Sequence, residues 1–240
     1  MSEFTECKCG IVVAGLMGVS AYGNANYFGY IHIDELGVPV LLPALVLALC
    51  CGLAGGLFSR LLIASLSNQG TDFFTRWRVR SPVWFAAACG LAIGVLGIVS
   101  NGETYGSGYA HNRAMLENAN DTAALYVVLK YVATWISAWS GVPAGVFAPS
   151  LAIGGALGND VAQLLPMGHA TTLIALGMAG FLAAVTQAPL TAFIIVMEMV
   201  DGHGLVLGLM AMALVSSSIA RLVSAPLYAS LAEHQRMRVR

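Results

Sequence analysis

The feature that most constrains this chain is a series of long stretches that carry no charged side chain. Four of them cover residues 38–59, 81–102, 131–159 and 161–197. A helix that crosses a membrane needs about 20 mostly apolar residues, so each stretch is long enough for a span and the longest for more than one. Prolines and glycines interrupt these stretches. The sequence therefore predicts an all-α, polytopic membrane protein with tilted and broken helices, in which residues 1–240 form a membrane domain with no soluble domain.

The composition excludes several other classes of protein. Of the 240 residues, 58% are hydrophobic and 10% are charged, whereas a soluble domain carries about a quarter charged residues. The 12 acidic and 11 basic residues nearly cancel, so no basic face is available for nucleic acid. Glu3 and Glu6 stand where a signal peptide would be basic. The histidines are scattered and Cys7-Lys8-Cys9 lacks a second ligand pair, so we expect no enzyme, metal site or cofactor.

The apolar segments and the turn residues between them predict the order of helices. The predicted helical segments are Ile11–Tyr22, Leu41–Leu66, Pro82–Val99, Ala123–Ser140, Phe147–Leu165, Thr171–Val185, Pro189–Met199, Leu205–Val223 and Pro226–Gln235. Residues 23–38 are predicted as a loop, residues 67–80 as a polar connection and residues 101–122 as a glycine-containing loop.

Two further patterns concern orientation and packing. Arginines cluster at positions 76–80 and again at positions 236–240. Cytoplasmic loops of membrane proteins are enriched in Lys and Arg, so both clusters are expected on the cytoplasmic side, with an even number of crossings between them. Glycines at helical spacing indicate close approach of membrane helices; they are Gly52, Gly55 and Gly56, and Gly90, Gly94 and Gly97.

The segment Ser140-Gly-Val-Pro-Ala-Gly-Val-Phe-Ala-Pro-Ser150 interrupts an otherwise apolar region with two prolines and two glycines. Irregular backbone at membrane depth is tolerated where it is buried in protein or lines a polar cavity. A helix that starts after such a loop presents unpaired N–H groups and the positive end of its dipole, which suits an anion. No basic residue is near Phe147 in the sequence, which favours passage over tight binding. A simple Pro/Gly kink explains the pattern equally well.

Several motifs resemble the CLC family of chloride channels and chloride/proton antiporters. Gly145-Val-Phe-Ala-Pro149 looks like the family's G-x-F-x-P motif, and the run 140–158 is similar to bacterial members. The runs 177–191 and 225–228, together with Glu198-Met199, resemble further family segments. Tyr105-Gly-Ser-Gly-Tyr109 and Asn26-Tyr-Phe-Gly29 are also similar, so the resemblance extends from about Gly10 to about Glu233.

The resemblance implies an anion site with chloride as the transported ligand. In the family, backbone amides that match Val146 and Phe147, next to Gly145, coordinate chloride together with a phenol that matches Tyr228. A phenol is a neutral donor suited to reversible anion capture. Taken alone, Tyr228 is more typical of an aromatic residue at the membrane interface, and the family context reverses that interpretation. The resemblance to bacterial members also implies an integral protein of the bacterial inner membrane.

The resemblance covers the second half of the family's inverted-repeat plan. The G-S-G-I-P and G-R-E-G-P segments of the first half are absent from the sequence. We therefore expect a truncated or degenerate product, or one half of a split transporter that needs a partner chain with the first half. A non-transporting membrane scaffold or assembly subunit is the alternative. The resemblance also implies a homodimer through Ile11–Tyr22 and Pro189–Val223, and we expect no selective chloride flux from this chain alone.

Overall fold

The computed structural model describes residues 2–23, 40–66, 73–117, 125–142, 145–165, 169–200 and 203–239. Within these ranges the regular structure is helical and no strand occurs, which confirms the all-α prediction. The helices are α1 (Ser2–Tyr22), α2 (Leu41–Leu66), α3 (Phe73–Arg80), α4 (Pro82–Val99), α5 (Tyr109–Glu117), α6 (Leu125–Trp139), α7 (Phe147–Leu164), α8 (Ala170–Thr186), α9 (Pro189–Val200), α10 (Val206–Val223) and α11 (Leu227–Val239).

Three of the described helices, α2, α4 and α10, are long and apolar enough to cross a membrane. Helices α6, α8 and α9 are apolar but shorter, as the interrupted hydrophobic stretches predict. Helices α2 and α4 have the predicted bounds, and α4 carries Pro82 in its first turn, where a missing N–H costs nothing. The remaining apolar helices differ from the prediction by a few residues at their ends.

The prediction was wrong for two polar segments and for the start of the chain. Residues 73–80 form α3, residues 109–117 form α5, and α1 begins at Ser2 instead of Ile11. Arg78 in α3 donates from Nη1 to Ser65 O at 2.6 Å, at the end of α2. Tertiary contacts of this kind stabilise short helices whose own sequence signal is weak. The loop predicted at residues 23–38 lies outside the described residues except for Gly23.

Helix α8 forms the centre of the molecule. Its residues from Thr172 to Val185 are all buried, and α7, α2, α10 and α9 pack around it. The closest approach is between α7 and α8, where a Cβ atom on Gly154 or on Gly177 would collide with the backbone carbonyl of the other residue. This contact places the start of α7 relative to the core.

The glycines predicted to pack do so unevenly. A Cβ on Gly52 would lie 2.7 Å from Ile219 Cβ, and one on Gly55 would lie 2.6 Å from Ala184 Cβ. Gly97 lies against the ring of Tyr105. Gly90 and Gly94 have no such neighbour within 4 Å in the described structure. The prediction of close helix packing is therefore confirmed for α2, whereas the neighbour of Gly97 on α4 is a residue of the following turn and not of another helix.

The outer surface is apolar. On α4 the side chains of Val83, Trp84, Leu91 and Ile98 are exposed, and on α1 Leu16 and Met17 are exposed. Large contiguous apolar surface is unusual on a soluble monomer and suits contact with lipid chains.

Candidate functional site

The start of α7 lies at Phe147, as predicted. The N-cap residue is Val146, with φ −93° and ψ −11°, and it makes no side-chain capping bond. The backbone hydrogen bond onto the cap comes from Ser150 N to Val146 O at 3.1 Å, and Ser150 Oγ donates to the same oxygen at 2.6 Å. The amides of Phe147 and Ala148 precede this bond, so they have no acceptor within the helix.

This helix start has the electrostatic character that an anion requires. Unpaired N–H groups and the positive end of the macrodipole both favour negative charge at the first turn. Pro149 follows at the third helical position, where its missing N–H leaves no donor unpaired. Gly145 is exposed, whereas Val146 and Phe147 are partly buried. An anion at this position would meet backbone donors that carry no full charge.

A cavity of about 170 Å³, lined by both polar and apolar residues, lies on one side of the helix start. We call it the Lys130 cavity; its lining includes Thr104, Gly106, Lys130, Thr134, Gly145 and Val146. Ile93, in the middle of α4, also lines it. Helix α4, which contributes Ile93, is long enough to cross a membrane.

Lys130 is a residue of this site that the sequence analysis missed. It lies on α6 and is 2% exposed. Its Nζ donates to Thr104 O and to Gly106 O, both at 2.8 Å. The expectation that no basic residue is near Phe147 holds along the chain but is wrong in space, because α6 brings Lys130 to a cavity shared with Gly145 and Val146. A single lysine in an apolar helix is the signal that could have revealed it.

A second cavity, of about 190 Å³, lies beside the same helix turn. We call it the Asn112 cavity; its lining includes Ser107, Tyr109, Asn112, Phe147, Ala148 and Met199. Asn112 is 1% exposed, and its Oδ1 has no hydrogen-bond partner in the described part of the chain. The same holds for His111 Nε2 and Tyr126 OH. Buried polar atoms without partners are uncommon and point to sites for water or ligand.

His111 links α5 to α6 at this end of the molecule. Its ring stacks on the ring of Tyr126, with centroids 3.7 Å apart and planes at 27°. Burial lowers the pKa of His111 below 6.5; Glu103 opposes the shift, and Lys130 adds to it. The neutral imidazole is therefore favoured. No group of three metal-ligating side chains occurs among the described residues.

Tyr228 is the predicted site residue that lies apart from the other three along the chain. It is the second residue of α11, its side chain is 52% exposed, and the neighbouring Leu227 is buried. Helix α11 packs against α2 and α8, and Gln187 Nε2 donates to Ser224 O at 2.8 Å just before it. Tyr228 is not among the residues that line the Lys130 and Asn112 cavities. That its hydroxyl shares an anion with α7 stays a prediction.

The fold and the apolar helices define an integral membrane protein of the all-α class. A family model described as voltage gated chloride channel matches residues 2–221. The match covers most of the chain, which therefore belongs to the voltage gated chloride channel (CLC) family.

Known proteins with similar sequence are transporters. The H(+)/Cl(-) exchange transporters ClcA of Salmonella typhi and of Salmonella newport (strain SL254) are 27% and 28% identical to the chain over 233 and 236 residues. The matched region covers 92% of this chain and 48% of each relative. The chain thus spans about half the length of the curated relatives it matches.

A solved structure has the same fold. The crystal structure of a CLC-type fluoride/proton antiporter matches with a TM-score of 0.67 and 24% sequence identity. The match covers 85% of this chain and 49% of that chain. This structural similarity confirms the predicted CLC-type fold, and at 24% identity it is evidence for the fold alone.

Proposed function

We propose that this chain takes part in the transport of chloride across a membrane, as part of a CLC-type channel or chloride/proton antiporter. The observation that carries the proposal is the helix start at Phe147, which has no side-chain cap and borders two cavities. Membership of the CLC family supports it. The relatives are named as chloride and fluoride transporters, so fluoride is the competing anion.

In the proposed site the amides of Val146 and Phe147, next to Gly145, hold the anion from the helix side. The Tyr228 hydroxyl supplies a donor from α11. Neutral donors bind an anion weakly enough for it to leave again, as transport requires. The location proposed for the chain is the bacterial inner membrane, with lipid chains against the exposed apolar residues of α4.

We further propose that the chain functions with other copies or with a partner chain. In this proposal a partner chain supplies the other part of the anion pathway. Exposed apolar residues on α1 and α10, such as Leu16 and Leu207, offer surfaces for a homodimer. A scaffold or assembly subunit without transport activity is the alternative.

Chloride binding by the purified chain tests the proposed site. Sodium chloride should raise the thermal unfolding midpoint in detergent relative to sodium gluconate at equal ionic strength, because a ligand that binds the folded state stabilises it. Tyr228→Phe should weaken chloride binding about tenfold or more, since hydrogen bonds to charged groups contribute roughly 1.5–3 kcal/mol. Trp84→Phe, an exposed aromatic on α4, is the control for a general interfacial effect.

The outcomes separate the alternatives. If Tyr228→Phe behaves like Trp84→Phe, Tyr228 is an interfacial residue and not an anion ligand. If the wild-type chain shows no chloride-dependent shift, the scaffold role is favoured. In liposomes we expect the chain alone to give no selective chloride efflux, and robust selective efflux would overturn its dependence on a partner.

A further inference from the structure

Lys130 carries a charge into the interior of the protein. It is 2% exposed on α6, a predominantly apolar helix. A buried ammonium group is costly unless nearby groups stabilise its charge. Thr104 O and Gly106 O accept hydrogen bonds from Nζ at 2.8 Å each, so two of its three donors are satisfied by backbone.

Among the described residues no carboxylate oxygen lies within ion-pair distance of Lys130, although Glu103, next to Thr104, acts electrostatically on the neighbouring His111. The ion pair found among the described residues, Arg113 with Glu117, lies on the exposed face of α5. The two carbonyl dipoles stabilise the ammonium group of Lys130 but do not cancel its unit charge. In surroundings of low dielectric, such a charge acts over several ångströms.

The side chain of Lys130 is held at Nζ by these two carbonyls and is flanked by Gly108. A Cβ atom on Gly108 would lie 3.6 Å from Lys130 Cε and 3.2 Å from Tyr126 OH. Thr134 Oγ1 donates to the backbone oxygen of Lys130 at 2.7 Å within α6. The residues that accept from Nζ belong to the segment 104–106, so the lysine joins this segment to α6.

The Lys130 cavity is therefore positive from two sides. Lys130 lines it from α6, and Gly145 and Val146 line it at the start of α7. Two positive groups at one cavity in a low dielectric repel each other, and an anion between them would remove that repulsion. The carbonyls of Thr104 and Gly106, which would repel an anion, are engaged by Nζ.

We propose that Lys130 is a positioning residue of the anion site: it fixes the segment 104–106 as a wall of the cavity, and its charge sets the anion affinity at the start of α7. The proposal rests on the proposed function. It predicts that a positive charge at this position, and not the hydrogen bonds alone, controls how tightly an anion binds.

Three substitutions of Lys130 separate charge from hydrogen bonding. Lys130→Arg keeps both, Lys130→Gln keeps a donor without the charge, and Lys130→Met removes both. The full chain in detergent is titrated with sodium chloride and with sodium fluoride, against sodium gluconate, by thermal unfolding. Hydrogen exchange of residues 100–108 reports whether the wall segment stays attached.

We expect Lys130→Arg to bind chloride within about threefold of wild type, and Lys130→Met to bind at least tenfold more weakly. Lys130→Gln should keep part of the exchange protection of residues 100–108 yet lose most of the affinity. Arg78→Met is the matched control, because Arg78 also donates to a backbone carbonyl, Ser65 O, but does not line the Lys130 cavity. It should lower the unfolding midpoint and leave the chloride-dependent shift unchanged.

The possible failures are distinguishable. If wild type binds chloride and Lys130→Gln binds it equally well, the charge is not needed and the proposal is overturned. If Lys130→Met does not yield monodisperse protein, the comparison of Lys130→Gln with Lys130→Arg decides. If wild type binds neither anion, the proposed function itself fails, and the role of Lys130 fails with it.

Discussion

At each end of α4 a cation donates to backbone carbonyls, but the surroundings differ, and Arg78 is partly buried whereas Lys130 is buried. At the start of α4, Arg78 donates to Ser65 O, and aromatic rings pack nearby. At the far end, Lys130 donates to Thr104 O and Gly106 O. Lys130 lines a cavity, and polar atoms buried near it, His111 Nε2 and Tyr126 OH, have no hydrogen-bond partner in the described structure.

Aromatic rings near Arg78 form a continuous cluster, which we call the aromatic end. Its members are Phe74, Trp77, Phe85, Trp135 and Trp139. Phe85 meets Trp77 and Trp139 edge to face with centroids 5.5 and 5.2 Å apart, and Trp139 stacks on Trp135 at 5.4 Å. Trp135 Nε1 donates to Ser65 Oγ at 2.9 Å. Such pairs add stability beyond their buried area. The comparison indicates that a cation beside aromatic rings contributes to packing, whereas a cation that lines a cavity can also contribute to binding a ligand.

The largest expected effect comes from breaking the aromatic end. Trp139→Ala removes ring contacts to Phe85, Phe74 and Trp135 and should destabilise the protein by roughly 3 kcal/mol, the low end for loss of a packed tryptophan. Thermal unfolding of the purified chain measures this loss. Trp84→Ala is the control, because Trp84 is 74% exposed and should change stability by about 0.5 kcal/mol or less. Equal losses would show that the cluster is not what stabilises this end.

A smaller effect should follow from displacing α7, the helix that forms the other wall of the Lys130 cavity. Gly177→Ala places a Cβ atom against the backbone oxygen of Gly154 and should cost about 1–3 kcal/mol through overpacking. Because α7 must shift, the chloride-dependent rise in the unfolding midpoint should also shrink.

The matched control for this substitution is Gly90→Ala. A Cβ atom on Gly90 would have no tertiary neighbour within 4 Å in the described structure. The substitution should therefore be neutral or stabilise α4 by up to about 1 kcal/mol. If Gly177→Ala is as stable as wild type, the contact between α7 and α8 is looser than the structure shows.

The sequence predicted those helix boundaries that are determined by residues close to them in the chain. The bounds of α2 and α4 follow from long apolar runs that begin at prolines or leucines and end at polar residues. The start of α7 follows from the Gly and Pro spacing around Phe147. These features need no knowledge of a neighbouring helix.

What the sequence could not predict depends on neighbours in space. Helix α3 is short and polar, and its contact through Arg78 is with Ser65 of another helix. Lys130 belongs to α6, and only the packing of α6 against α7 brings it to the cavity of Val146. The pattern of glycines could not tell Gly55, which packs on α8, from Gly90, which faces open space.

The smallest expected effect concerns His111, which lies near Lys130. Its titration should make the stability of the protein depend on pH. Burial lowers the pKa of His111 below 6.5, Glu103 counteracts this, and Lys130 lowers it further. In the unfolded chain the pKa returns to about 6.5, so the unfolded state binds more protons just below that pH. The contribution of neutral His111 to the free energy of unfolding should therefore be fully present above about pH 6.5. It should be lost as the pH falls from there through the lower pKa of the folded state.

His111→Gln removes this titration and keeps a polar side chain at the position. Between pH 7 and pH 5, the unfolding midpoint of wild type should fall more than that of His111→Gln. The aromatic end is the internal reference, because Trp139→Ala should lower the midpoint by the same amount at both pH values. A wild-type slope equal to that of His111→Gln would show that the imidazole is solvated in the folded protein, and the stacked contact with Tyr126 at 3.7 Å would then not exclude water from it.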